Sequence, residues 1–311
     1  MSGLYRLAFS LSLLLCMALP ISCRQAEPSG PPPTEPSGQS APPPEQSAPP
    51  EQPPTPPEAE AELPPPPPQE PETPPEPVPE QPSENTRLYI LMYHQLVLEG
   101  QPCNTWAVTD VRFREDLEWL AGSGWTTVLP SELAGEGPLP DKAVMITFDD
   151  GYCSNYWVAY PLLQEYQAKA VISVIAGLID REEPYFLTWT MCRIMVQSGL
   201  VEIGSHSYDL HSSDCRGLRR LQGECQADYE ARVFPDLQSG IDRIEANVGV
   251  RPTLFAYPFG KTEPWATGFI REHFSASVTT RCGSADTAQG LYGMNRYTVT
   301  MDTPLRDILP K

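Results

Sequence analysis

Basic side chains are scarce in this chain. Against 40 Asp and Glu stand 21 Lys and Arg, for a formal net charge of −19 in 311 residues. A nucleic-acid partner calls for a basic footprint on its phosphates, and electrostatic docking on anionic lipid calls for one on headgroups. The overall balance speaks against both. Long apolar runs are missing too: the longest, Leu7 to Leu19, falls short of the roughly 20 residues that span a bilayer core. No CxxC pair occurs, which argues against a cysteine-based zinc site or a thioredoxin-like redox site. Neither a GxSxG elbow nor a GxxxxGK[ST] loop is found, so the usual signs of a serine hydrolase and a P-loop are absent. Histidine is limited to four residues, so the place of each one carries information.

Proline is the residue in excess, with 38 in the chain. Residues 24–85 hold 25 of them, together with twelve glutamates, a single basic residue (Arg24) and no aromatic. Such a segment has almost nothing to bury and is expected to be disordered or polyproline II. Extended at about 3.1 Å per residue it would reach roughly 190 Å. Before it, Arg6 and the Leu7–Leu19 run suit the n- and h-regions of a secretory signal over residues 1–23. The ending Pro20-Ile21-Ser22-Cys23 resembles a bacterial lipoprotein signal, which implies a lipid on Cys23. An ordinary signal peptide cleaved nearby, with Cys23 incidental, is the alternative. Both place the mature protein outside the cytoplasm, either on a membrane anchor or secreted.

Residues 86–311 carry 19 basic and 28 acidic residues and are long enough for one large domain with its own core. A monomer is expected. Strand candidates are Tyr89–Met92, Thr126–Leu129, Ala143–Phe148, Ala170–Ile175, Val201–Gly204, Thr253–Tyr257, Ser275–Val278 and Arg296–Val299. Helical spacing recurs at Phe113, Leu117 and Leu120, at Tyr160, Leu163 and Tyr166, and at Ile241, Ile244 and Val248. Ser131 before Glu132 suggests an N-cap. Alternating strands and helices mean an α/β fold with a parallel sheet, and seven or eight such units favour a barrel. Six cysteines lie in this region, Cys103, Cys153, Cys192, Cys215, Cys225 and Cys282. An even number in an exported domain suggests disulfides, with a Cys215–Cys225 loop as one option.

The chemistry gathers at predicted strand ends. His94 follows the first strand, Asp149 and Asp150 follow Ala143–Phe148, and His206 and His211 follow Val201–Gly204. In a parallel barrel those ends converge on one mouth. One carboxylate and two imidazoles suit a divalent cation with an open position, and a second carboxylate beside it could take a proton from water. His206 and His211 are five apart, about 140° on a helix, so the pair requires a loop.

Thr147-Phe148-Asp149-Asp150-Gly151-Tyr152, Ser205-His206-Ser207-Tyr208-Asp209-Leu210-His211 and Phe255-Ala256-Tyr257-Pro258-Phe259-Gly260 together resemble the polysaccharide deacetylase domain (NodB homology, carbohydrate esterase family 4). Leu91-Met92-Tyr93-His94-Gln95 is similar to the opening of its poly-N-acetylglucosamine deacetylase branch. The resemblance implies a distorted (β/α)7-type barrel that hydrolyses N-acetyl groups of an N-acetylated polysaccharide. It implies Asp149 as general base, and Asp150, His206 and His211 as ligands of a divalent metal, zinc first, with nickel, cobalt or iron as other occupants. His94 is implied as acid or oxyanion stabiliser. Tyr257, Phe259 and Trp189 are candidate substrate contacts, Trp189 with the alternative of packing a helix start. Two departures stand out. Many members have an arginine, which orients the base, where this chain has Ala256. The late family histidine is also missing, and His273 precedes a strand, on the wrong side. An inactive glycan-binding domain on a tether and an O-acetyl esterase are the competing expectations.

Overall fold

An apolar run without alternation is what a parallel strand covered on both faces requires. The segment Ala143–Asp150 is such a run, and all eight of its residues are buried in one strand. The computed structural model describes residues 85–133, 138–212, 214 and 216–310. The signal, Cys23, nearly all of the proline-rich arm and Cys215 lie outside the described residues. In chain order the strands are β1 (Arg87–Tyr93), β2 (Gln95–Val97), β3 (Ala107–Thr109), β4 (Thr126–Thr127), β5 (Ala143–Asp150), β6 (Ala170–Val174), β7 (Val201–Ser205), β8 (Leu254–Ala256), β9 (Ala276–Val278), β10 (Ala285–Asp286) and β11 (Tyr297–Thr298). The α-helices are α1 (Asp110–Gly122), α2 (Pro130–Leu133), α3 (Tyr160–Tyr166), α4 (Ala176–Asp180), α5 (Trp189–Gln197), α6 (Gln226–Val248), α7 (Thr267–His273) and α8 (Leu305–Ile308). No helix among the described residues is long and apolar enough to cross a membrane.

The main sheet runs β10-β1-β5-β6-β7-β8-β9, with β4 beside β5 and β11 beside β1. Its pairs are parallel except β1 with β10. Residues 291–299 bring the far edges together. On one side Ser277 N–H donates to the Leu291 carbonyl at 2.9 Å and Thr279 N–H to that of Met294 at 2.9 Å. On the other, Val299 N–H donates to the Met92 carbonyl at 3.0 Å, and Tyr297 and Thr298 pair with Leu91 and Met92. The sheet thus curls into a distorted barrel whose seven parallel positions are β1, β5, β6, β7, β8, β9 and β11. The period of two in a strand divides the core. Ile90, Met145, Val171, Leu254, Ala276 and Met294 form one cluster drawn from strands all round the sheet, so they fill its concave side. Leu91, Val144, Ile146, Ile172 and Ile203 point outward under the helices.

Several expectations need correction. Thr126–Leu129 pairs only at Thr126 and Thr127. The short helix begins at Pro130 rather than after Ser131. Its cap is the Glu132 carboxylate, which accepts the Leu129 N–H at 2.7 Å, while the Ser131 hydroxyl turns to Glu202. Helix α6 extends well upstream of Ile241: Tyr229, Val233, Leu237, Ile241 and Ile244 make its buried stripe, the spacing of an amphipathic helix. No disulfide is formed among the described residues. Cys103, Cys153, Cys192, Cys225 and Cys282 are free. Three of them have a local setting instead: Cys192 is buried in the core, the Cys103 thiol meets the Ala107 carbonyl at 2.9 Å, and Cys225 caps α6.

Candidate active site

The last two residues of β5 take opposite directions. Asp149 continues the Met145 and Thr147 side of the strand and points into the barrel, where it is 2% exposed. There it meets Arg296, which is fully buried. The guanidinium donates to both carboxylate oxygens, at 2.8 and 2.6 Å, and two of its remaining three donors go to Thr147 Oγ1 at 2.9 Å and the Thr279 carbonyl at 2.8 Å. Burial alone would raise the Asp149 pKa, but the charge and hydrogen bonds of Arg296 outweigh it and hold the carboxyl far below the usual carboxylate range.

Asp150 turns the other way because the backbone leaves the strand abruptly. Its φ is 73° and that of Gly151 is 79°, a left-handed pair that is costly for a residue with a Cβ. A Cβ on Gly151 would come within 2.9 Å of Val174 Cγ1, so glycine is required there. Asp150 Oδ1 is buried and accepts no hydrogen bond among the described residues. It lies 3.5 Å from His206 Nε2 and 3.6 Å from His211 Nε2. Burial pushes the Asp150 carboxyl up to about 6, opposed by His206: this carboxylate is short of positive charge.

The two imidazoles are prepared differently. His206 Nδ1 is 2.7 Å from the Ala256 carbonyl, which fixes its proton on that nitrogen and leaves the Nε2 lone pair facing Asp150. The His211 ring stacks on Phe259 with centroids 4.0 Å apart. Burial lowers the pKa of both, favouring the neutral ligand form. The loop between them is held from α6. Asp236 accepts the Tyr208 and Asp209 N–H groups at 3.0 and 2.9 Å, and Gly240 lies against the Ser207 backbone, where a Cβ would come within 3.2 Å.

One ligand atom from each of Asp150, His206 and His211 lies within 4.8 Å of the others. An orphaned buried carboxylate oxygen with two oriented imidazoles fits a divalent cation with an open position. That open side faces a cavity of about 670 Å³, also lined by His94, Trp106, Phe259 and Lys261. The His94 ring lies 4.9 Å from that of Trp106, and burial lowers its pKa, with Asp149 opposing.

Of the candidate residues, the structure brings together Asp149, Asp150, His206, His211, His94 and Phe259. Tyr257 and Trp189 do not join them. Tyr257 is buried beside Phe255, with ring centroids 5.0 Å apart. Trp189 opens α5 and donates its indole N–H to Asp180 at 2.9 Å. His273 lies at the end of α7, its Nδ1 3.0 Å from Arg251 Nη2. The residue that sequence reasoning missed is Arg296, which reaches Asp149 from beside β11 instead of from position 256. Its signal was an arginine opening the strand candidate Arg296–Val299.

The polysaccharide deacetylase family matches residues 136–271, a stretch with Asp149, Asp150, His206 and His211 but without His94 or Arg296. YxkH of Bacillus subtilis (strain 168), which carries the polysaccharide deacetylase name, is 30% identical over 219 residues, 69% of this chain and 72% of that protein. The chain belongs to the polysaccharide deacetylase family. IcaB from Ammonifex degensii shares the fold with a TM-score of 0.62 at 29% identity, over 72% of this chain and 96% of that one. The poly-beta-1,6-N-acetyl-D-glucosamine N-deacetylase of Escherichia coli (strain K12) is 27% identical over 234 residues, 64% of this chain. The deacetylase match covers 34% of that longer protein.

Proposed function

We propose that this deacetylase is an exported, metal-dependent enzyme that removes N-acetyl groups from an N-acetylglucosamine-containing glycan, leaving free amine and acetate. The observation that carries the reading is the division of labour at the end of β5: Asp149 is neutralised by Arg296 from inside, while Asp150 faces two imidazoles and the cavity. A divalent cation bound to Asp150, His206 and His211, zinc first among candidates that include nickel, cobalt and iron, would polarise the acetyl carbonyl and make water a better acid. Asp149 stays ionised and is the base that takes the proton of the attacking water. That proton is then available to the departing nitrogen as the C–N bond breaks. His94, on the same cavity, offers an N–H to the developing oxyanion. Phe259 fixes the His211 ring and bounds the space for the acetamide.

The name of the Escherichia coli relative supports a poly-β-1,6-N-acetylglucosamine substrate, and peptidoglycan is the other candidate of the same chemistry. A non-catalytic glycan-binding domain loses its main argument, since a base-orienting arginine is present at position 296. The proposed organisation is a signal over 1–23 with lipidation at Cys23, an arm over 24–85, and a monomeric domain over 86–311.

The test is release of amine from acetylated glucosamine oligomers, with and without chelator. Wild type loaded with metal is expected to release amine, chelator to abolish it, and Asp149→Asn to lower kcat by about 10²-fold or more. His206→Ala is expected to lose bound metal. Activity surviving Asp149→Asn removes Asp149 as the base, and no release from β-1,6, β-1,4 or peptidoglycan substrates ends the enzyme reading.

A further inference from the structure

Most cations of this acidic domain have a carboxylate partner. On the surface Arg114, Lys169, Arg181, Arg232, Arg243 and Arg251 each pair with one, and at the mouth Arg296 is committed to Asp149. The flank built by the loops after β8 and β7 and the end of β9 differs. Lys261 lines the cavity beside Phe259 and Thr280, with no carboxylate partner among the described residues. Arg281, just beyond Thr280, gives its guanidinium to Asn295 Oδ1 at 3.2 Å and to the Gly293 carbonyl. Arg220 lies over the Trp265 ring at 4.8 Å, and the exposed Arg219 has no side-chain partner among the described residues. The arginine loop is tied to this flank by Gly217. A Cβ there would come within 2.6 Å of the Pro258 carbonyl oxygen and 3.3 Å of Lys261 Cβ.

Carboxylates do lie on this flank, Asp214 paired with Arg216 and Glu263 accepting the Arg220 backbone N–H at 3.4 Å, but among the described residues none pairs with the side chain of Lys261 or Arg281. Beside a cavity, the arrangement concentrates anions. A homopolymer of N-acetylglucosamine supplies none. Its deacetylation leaves ammonium groups along the chain, which Lys261 would repel as neighbouring residues pass through the cleft.

Resting on the deacetylase reading above, we propose that this flank is an anion subsite. The glycan carries a carboxylate or phosphate on the residue next to the acetylated sugar, and Lys261 and Arg281 bind it while the acetamide sits over Asp149. This narrows the substrate to an anion-bearing N-acetylglucosamine glycan.

The test compares three tetrasaccharides at low and high salt: chitotetraose, alternating N-acetylglucosamine and N-acetylmuramic acid, and chitotetraose phosphorylated at O6. At least one anionic substrate is expected to exceed the neutral one about ten-fold in kcat/KM, an advantage lost as salt rises. The better of the two separates carboxylate from phosphate. Lys261→Gln should raise KM for that substrate by about ten-fold with little change in kcat, whereas Lys261→Arg should keep the preference. Equal use of neutral and anionic substrates, or a preference that survives Lys261→Gln together with Arg281→Gln, overturns the subsite. If no substrate releases amine, the deacetylase reading fails, and calorimetric binding to the Asp149→Asn protein decides the subsite separately. Tighter binding of the anionic tetrasaccharide upholds it, and equal affinity ends it.

Discussion

Two aspartates adjacent in sequence have opposite electrostatic problems, and the solutions differ residue by residue. Asp149 is buried with its counter-charge already supplied by Arg296. Asp150 is buried with one oxygen unpartnered. Removing one member of a buried ion pair typically costs about 3–5 kcal/mol, because the other charge is left uncompensated. Arg296→Met is therefore expected to destabilise the protein by about that amount in denaturant unfolding. It should also change the pH profile, with a sign that follows from the causes. In wild type Arg296 holds the Asp149 pKa down, so the carboxylate stays ionised well into the acid range. Without the guanidinium, burial dominates and raises that pKa, and the acid limb of kcat/KM should move to higher pH. Arg296→Lys keeps a charge but not the two-point contact, so a smaller loss of stability and a smaller shift are expected. An acid limb that stays in place in both variants would show that Arg296 does not set the state of the base.

Most strands were legible from the sequence because each is a short continuous apolar run, which is what a parallel strand buried on both faces must be. β1 and β5 to β9 fall close to the expected segments. The same rule misplaced Asp149 and Asp150 after β5, when they are its last two residues: polar residues at a strand end look like loop until a partner such as Arg296 is known. The upstream half of α6 was hidden by Pro235 and its polar neighbours, although Tyr229, Val233 and Leu237 carry the period. The four paired aspartate and histidine positions were readable because their chemistry is compact in sequence. Arg296 was not, because its contact spans 147 residues, and no spacing rule reaches that far. Helix α6 also acts on the site, since Asp236 holds two backbone N–H groups of the loop between His206 and His211. Asp236→Ala leaves two donors without an acceptor, each worth about 1 kcal/mol, and frees the loop. The expected outcome is weaker metal binding, by about ten-fold, as for other groups that hold metal ligands in place, and Asp236→Asn should recover part of it because its amide oxygen still accepts one bond. Wild-type metal affinity in Asp236→Ala would show that the loop keeps its shape without the helix.

At the scale of the whole molecule the charge divides into two unlike parts. Residues 24–85 hold twelve glutamates and one arginine, and residues 86–311 hold 28 acidic and 19 basic residues. That composition underlies the proposed spacer. An enzyme acting on an insoluble glycan gains from such a spacer only if the other end is fixed, because a free chain would diffuse away with its arm. The proposed anchor at Cys23 meets that need, and it gives the acidic segment a proposed purpose separate from substrate recognition. One acyl chain holds a protein to a bilayer only marginally, whereas two or more hold it stably, so lipidation should show as firm retention rather than partial partition. Expressed in a bacterial host, wild type is expected in the membrane fraction and resistant to a salt wash, and Cys23→Ser in the soluble exported or secreted fraction, with amine release per molecule unchanged on soluble oligomers and reduced on intact cell walls. Retention of Cys23→Ser in the membrane fraction would remove the anchor, and equal action of both forms on cell walls would remove the reason for it.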